Sequence, residues 1–208
     1  MLVAVFLFTI VMFVAMAAVL ALIDTNRKNQ NIKSVVNNLT LVVSSISKNI
    51  AVSTGYYCGE VEEGDFDYFE STDYKDYGAD CAGSDPSQAL TMRYNEDGTD
   101  VGIEPDIYRY KFVVTDDAAG TGTVYRSISG GDYFPITAPE VKITRFDFYV
   151  MNTQTLVVPI NGGAAFGDTR QPRVLLIIEG YAGAKETSKS SFRLQTTISQ
   201  RSLDVIYE

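Results

Sequence analysis

The stretch Met1–Lys28, "MLVAVFLFTIVMFVAMAAVLALIDTNRK", decides the fold. From Met1 to Ile23 only Thr9 is polar, and the run holds no Gly, Pro or charge. As a helix rising 1.5 Å per residue it would be roughly 34 Å long, against about 30 Å for the hydrocarbon core of a bilayer. The run is therefore long enough and apolar enough to span a membrane.

Two rival classes of oily N-terminus fit less well. A cleaved secretory signal has a basic start and an apolar region of about 7–15 residues. Here the "AMA" at Ala15–Ala17 imitates a cleavage site, but neither of those features is present. A plain signal anchor carries Lys or Arg on its cytoplasmic side, whereas Arg27 and Lys28 lie beyond the run. The expectation is a short basic leader ahead of Met1.

The residues that follow have a different pattern. Ile32, Val35, Val36, Leu39, Val42, Val43, Ile46 and Ile50 recur at steps of three and four, with Asn, Lys and Ser between them, which predicts an amphipathic helix. No Gly or Pro interrupts Met1 to Ser53. The two halves are thus expected to form one rod of about 50 residues and on the order of 75 Å. Residues 1–23 would face lipid or other copies of themselves, residues 24–53 would carry a globular domain on one stripe, and Asp24 would mark where the chain leaves the apolar layer.

The stretch "MLVAVFLFTIVMFVAMAAVLALIDTNRKNQ" resembles the N-terminal helix of type IV pilins and pseudopilins just after their processing motif, which reads roughly Gly-Phe-Thr-Leu-x-Glu. The likeness covers about the first fifty residues, and "SSFRLQTTISQR" at 190–201 resembles the last strand of some minor-pseudopilin-like proteins. The resemblance implies a subunit that sits in the cytoplasmic membrane before assembly. It then joins other copies, and other pilus or pseudopilus components, in a filament outside the cell. It also implies that the processed Phe, whose amino terminus is methylated in the family, and the motif glutamate belong upstream of Met1. The proline that breaks this helix in major pilins is absent. On this reading Leu2, Val5, Phe6, Ile10, Phe13, Met16 and Leu20 form the filament core. Ile32, Val35, Val36, Leu39, Val43, Ile46 and Ile50 pack the rod on the head.

The remaining residues, 54–208, suffice for one head domain in a chain of 208 residues that is 46% hydrophobic. Strand signals dominate: "QALTMRY" (88–94), "DIYRYKFVVT" (106–115), "TVYRSIS" (123–129), "VKITRFDFYV" (141–150), "TLVVPI" (155–160), "PRVLLIIEGYAG" (172–183) and "SSFRLQTTIS" (190–199). Turn signals such as "AAGTG" (118–122) and "SGGD" (129–132) separate them. The fold class read from this pattern is α+β, a long helix packed on an antiparallel sheet.

Cys58 and Cys81 enclose the most unusual segment, 59–80, which carries nine acids against Lys75 and so holds −8 of the chain's −9. An even pair in a head placed outside the membrane predicts a disulfide. Its closed loop would contribute roughly 3–4 kcal/mol by loop-closure entropy and tether a segment too charged to fold by burial alone. "DFDYFE" (65–70) offers carboxylates to calcium but lacks the D-x-[DN]-x-[DN]-G spacing, so a solvated acidic surface loop is expected and no metal site is assigned. Tyr56, Tyr57, Tyr68, Tyr74 and Tyr77 offer either an adhesive surface or loop packing.

Catalysis finds little support in the residues. The chain has no His, which removes HExxH and Ser-His-Asp chemistry. Ser45–Lys48 matches S-x-x-K but lies in the rod and lacks K-T-G. Gly120 and Gly122 lack the Lys-Ser/Thr of a phosphate loop and read as a hairpin turn. Asn38-Leu39-Thr40 is a chance-level glycosylation sequon. A chain at −9 repels phosphate, so no dedicated nucleic-acid site is assigned, a small patch at Arg170, Arg173, Lys185 and Lys189 aside. The expectation is a non-enzymatic, cofactor-free structural subunit. The alternatives are a minor pseudopilin of a secretion or DNA-uptake system and a membrane-anchored binding protein.

Overall fold

The computed structural model describes residues 2–60, 79–81, 85–94, 106–129, 131–154, 156–158, 169–183, 189–201 and 205–207. One α-helix, α1 (Leu2–Val52), runs unbroken through both halves of the rod, about 76 Å at 1.5 Å per residue. It precedes strands β1 (Gly55–Cys58), β2 (Ala89–Tyr94), β3 (Asp106–Asp116), β4 (Thr121–Ile128), β5 (Phe134–Pro135), β6 (Val141–Met151), β7 (Leu156–Val158), β8 (Arg173–Ala182), β9 (Ser190–Ser199) and β10 (Val205–Tyr207). The result is α+β, with an antiparallel sheet of eight strands in the order β1-β2-β3-β4-β6-β8-β9 and β5 on β4. A parallel pair, β7 with β10, stands apart from it.

The sheet curls back on itself. Along one edge β6 pairs with the whole of β8. Along the other it meets β4 near its start, at Ile143 opposite Gly122. Near its end it meets Cys81 and Ser87: Phe148 exchanges both backbone bonds with Ser87, and the Cys81 amide donates to the Val150 carbonyl. Ala79, next to Cys81, bonds in turn to Tyr56 and Cys58 of β1. The ladder from β1 to β6 thereby closes through the chain that returns from the disulfide loop.

Gly122, where β4 meets β6, also lets β3 approach closely. A Cβ there would lie 2.2 Å from the Val113 carbonyl oxygen and 2.7 Å from the Phe112 ring. Gly120, at φ 60°, supplies the left-handed turn position between β3 and β4. The "AAGTG" signal is thus a hairpin turn followed by a close-approach glycine inside β4.

The rod packs where its stripe meets the sheet. Val35, Leu39, Val42, Ile46 and Ile50 are buried with Leu90, Met92, Tyr110, Phe146, Phe148, Val174, Leu176 and Ile178. Steps of three and four residues keep one narrow line of α1 on the sheet. Phe146 and Phe148 meet edge to face at 5.0 Å, an arrangement aromatic rings prefer.

The sequence reading made the packed face too wide and too long. Ile32 is 41% and Val36 55% exposed, so neither packs on the head, while Val43 is half-buried against the core. Val36 lies on the flank of the stripe, whereas Ile32 shares the azimuth of the buried Ile50 and is exposed because it stands nearer the free end of the rod than Val35, the first buried residue of the helix.

Candidate assembly surface

The apolar half of α1 stands clear of the head. Every residue from Leu2 to Gln30 is exposed. Polar contacts with the head include Ser34, whose hydroxyl donates to Glu140 at 3.3 Å, and Asn38, whose side-chain oxygen accepts from the Ala138 amide at 3.2 Å. All seven residues read as the filament core lie on this free segment, with Phe13 at 76% exposure and even Ile10 at 44%. A soluble monomer rarely leaves so large a contiguous apolar surface in water, and such surfaces mark interaction with protein or membrane. By length and composition this helix can cross a membrane, and none of its apolar window is buried in the head. Phe8, Thr9, Met12, Phe13 and Met16 frame a shallow apolar groove along it.

Polar contacts fix how the rod leaves the head. Asn49 donates to the Tyr110 hydroxyl at 2.7 Å, and Arg126 donates to Ser45 at 3.3 Å. Ser45 of the S-x-x-K match and Asn38 of the sequon are therefore both joined to the head. Burial is the main reason the Tyr110 hydroxyl holds its proton above the usual phenol range, with the bonds from Ser45, Asn49 and Arg126 opposing it. At the C-terminal end of α1 the buried Tyr56 hydroxyl donates to the carbonyls of Ile50 and Ser53, at 2.6 and 2.9 Å, and the Arg201 amide donates to Ala51. These bonds satisfy helix-end carbonyls that would otherwise be unpaired in the core. A rod held by both a stripe and side-chain hydrogen bonds has one azimuth and one axial position on its head.

Cys58 and Cys81 form a disulfide with their Cα atoms 5.8 Å apart. Most of the acidic segment, along with the calcium-like "DFDYFE", lies outside the described residues, but both of its stems are visible. At the first stem Glu60 pairs with Lys111 at 2.5 Å and accepts from the Tyr133 hydroxyl at 3.1 Å. Lys111 also lies over the Tyr133 ring, 3.8 Å from its centroid. Burial, then the nearby Glu60 charge and its hydrogen bond, push the Tyr133 phenol up to about 12, with Arg109 opposing. At the second stem Asp80 accepts from the amides of Asn152 and Thr153, at 3.1 and 3.0 Å. The ring is therefore held to the head by non-covalent contacts as well as by sulfur.

These stems change what loss of the disulfide should do. In a Cys58→Ser, Cys81→Ser variant the acidic segment should become protease-sensitive while the head keeps its fold and the rod keeps its association. Limited proteolysis of wild type and variant tests this; cleavage scattered through the sheet, or a segment equally resistant without its cysteines, would contradict it.

No protein-family model, no curated protein and no solved structure matches the chain. The functional reading rests on the geometry and on the resemblance of the rod. Among the described residues no group of three or more His, Cys, Asp or Glu is placed to hold a metal. Of the basic patch, Lys189 sits over the Tyr181 ring at 4.2 Å and Lys185 lies outside the described residues.

Sequence reading missed the polar attachments at Asn38, Ser45, Asn49, Glu60 and Asp80. Their partners lie between 51 and 100 residues away in the chain, and no local pattern flags them.

Proposed function

We propose that this chain is a structural subunit of a type IV pilus-like helical filament, held in the cytoplasmic membrane through residues 1–23 before assembly and displayed outside the cell afterwards. The observation that carries the reading is the fully exposed apolar half of α1, rigidly continuous with a stripe packed into the head. A bare apolar rod is stable in two environments, a bilayer and a bundle of like rods, and a subunit that passes from one to the other uses a single surface for both. Stacking copies by translation and rotation along the rod gives heterologous contacts that extend without closing. The head, with its acidic ring, then lies outside the apolar axis, where salt screens the mutual repulsion of its charges.

A second reading, an accessory pseudopilin at the tip of a secretion or DNA-uptake filament, has one feature in its favour. The strand that resembles minor pseudopilins, β9, ends the sheet order and pairs with β8 alone among the described strands.

Deleting residues 1–23 tests the common element of both readings. The expected product is a water-soluble head with unchanged sheet signal by circular dichroism and no capacity to join filaments. A truncated chain that still polymerises into the same filament would contradict the reading.

A further inference from the structure

The charge of the chain is divided between its two parts. Residues 2–53 carry Arg27, Lys28, Lys33 and Lys48 against Asp24 alone, net +3, which leaves −12 for residues 54–208. From Thr25 to Ser53 there is no acid at all. All four cations are exposed, and none forms an ion pair among the described residues. Some cations of the head are differently placed: Arg145 and Arg193 share Glu179, Arg145 also engages Asp147, and Lys111 engages Glu60. Lys142, Arg173 and Arg201 of the head are also exposed without an ion pair among the described residues, so what sets the rod apart is that its cations stand on a segment with no acid of its own.

The direction of this charge matters as much as its amount. At 100° per residue, Lys33 and Lys48 lie on the side of α1 opposite the buried stripe, with Arg27 on the flank of that side. Leu41 lies between them on the same side and is 71% exposed. Lys33 and Lys48 are about 22 Å apart along the axis. This strip faces away from the head that carries it, whereas both stems of the acidic ring are fixed on that head at Glu60 and Asp80.

We propose that the outward strip of the rod, Arg27, Lys33, Leu41 and Lys48, is a docking surface for the acidic ring, residues 60–80, of a second copy of this chain. The ring has nine acids and one base, the complement of a strip with cations and no acid. The strip is on the rod and the stems of the ring are on the head, so a contact between a strip and the ring of another copy is heterologous and repeats from copy to copy without closing. The inference rests on the filament reading and adds an electrostatic contact between head and rod to the apolar contact between rods. A mainly electrostatic contact of this kind weakens as the Debye length falls from about 8 Å at physiological salt to about 3 Å at 1 M.

The test uses full-length protein in surface material from producing cells, inspected by electron microscopy and then treated with a water-soluble carbodiimide. That reagent joins a lysine amine to a carboxylate in contact with it, without a spacer. Peptides from the monomer and dimer bands of a denaturing gel are mapped by mass. The expected result is Lys33 or Lys48 joined to an acid of 60–80 in the dimer band, with at least tenfold less of this product in Lys33→Gln, Lys48→Gln filaments or at 1 M salt. Joined peptides confined to the monomer band would place the ring on its own rod and overturn the proposal. Filaments with no such product would overturn it too, as when lipid phosphate, which offers no carboxylate, covers the strip. Absence of filaments before cross-linking would instead overturn the filament reading, and this inference with it.

Discussion

Ile46→Ala should destabilise the head by about 2–5 kcal/mol, the usual range for truncating a fully buried Ile. Ile46 has no solvent exposure and lies at the centre of the stripe, between Val42 and Ile50 on one element and the sheet core on the other. Truncation leaves a cavity that a helix fixed by Asn38, Ser45 and Asn49 cannot close by sliding. Against a total stability of about 5–15 kcal/mol for a domain, the loss is large. Val36→Ala is the matched control. At 55% exposure Val36 should change stability by less than about 0.5 kcal/mol. Denaturant unfolding of the two full-length variants in the same detergent measures both. Equal effects would mean that the packed face includes Val36 and that the stripe is wider than the structure places it.

Phe13→Asp acts on the other half of the rod, and there the expected effect is on assembly and not on folding. Phe13 is 76% exposed in the single chain, so the head should unfold at the same denaturant concentration in variant and wild type. At the middle of an apolar layer, however, a carboxylate costs roughly 2.5–3.5 kcal/mol even on the lenient membrane-insertion scale, and the same desolvation recurs in every copy of a bundle. Membrane retention and filament yield should both collapse, as read by fractionation of cells producing the variant. Near-normal filament yield would place Phe13 outside the association surface.

The rod was the most legible part of the sequence because its determinants are local. A run without Gly or Pro fixes one helix, and Val35, Leu39, Val42, Ile46 and Ile50 mark the buried line by spacing alone. Ile32 and Val36 share that spacing but are exposed, because a helical period says which side is apolar and cannot say how far the partner domain extends along and around the rod.

Seven strand runs were likewise visible as alternation or as continuous apolar stretches, and β2, β3, β4, β6, β7, β8 and β9 fall on them. The missed strands are short: β1 is "GYYC", β5 is Phe134–Pro135 and β10 is "VIY". Segments of two to four residues carry no period to detect, and they become strands only because a neighbour supplies hydrogen bonds. Curling of the sheet through Gly122, Ser87 and Ala79 was illegible for the same reason, since it depends on pairings between residues far apart in sequence. The disulfide was legible from cysteine count and expected compartment, but the salt bridge at Glu60 and the amide bonds to Asp80 were not. A single carboxylate among nine gives no sign of which ones have partners.

The most direct measurement of the central claim is electron microscopy of surface material from cells that produce this chain, with an antibody raised against the head. The account predicts helical filaments labelled along their whole length, with reconstructed density in which the apolar halves of α1 bundle at the axis and the sheets face outward. Label confined to the cell envelope, or to filaments whose core is built from something other than residues 2–23, would contradict it.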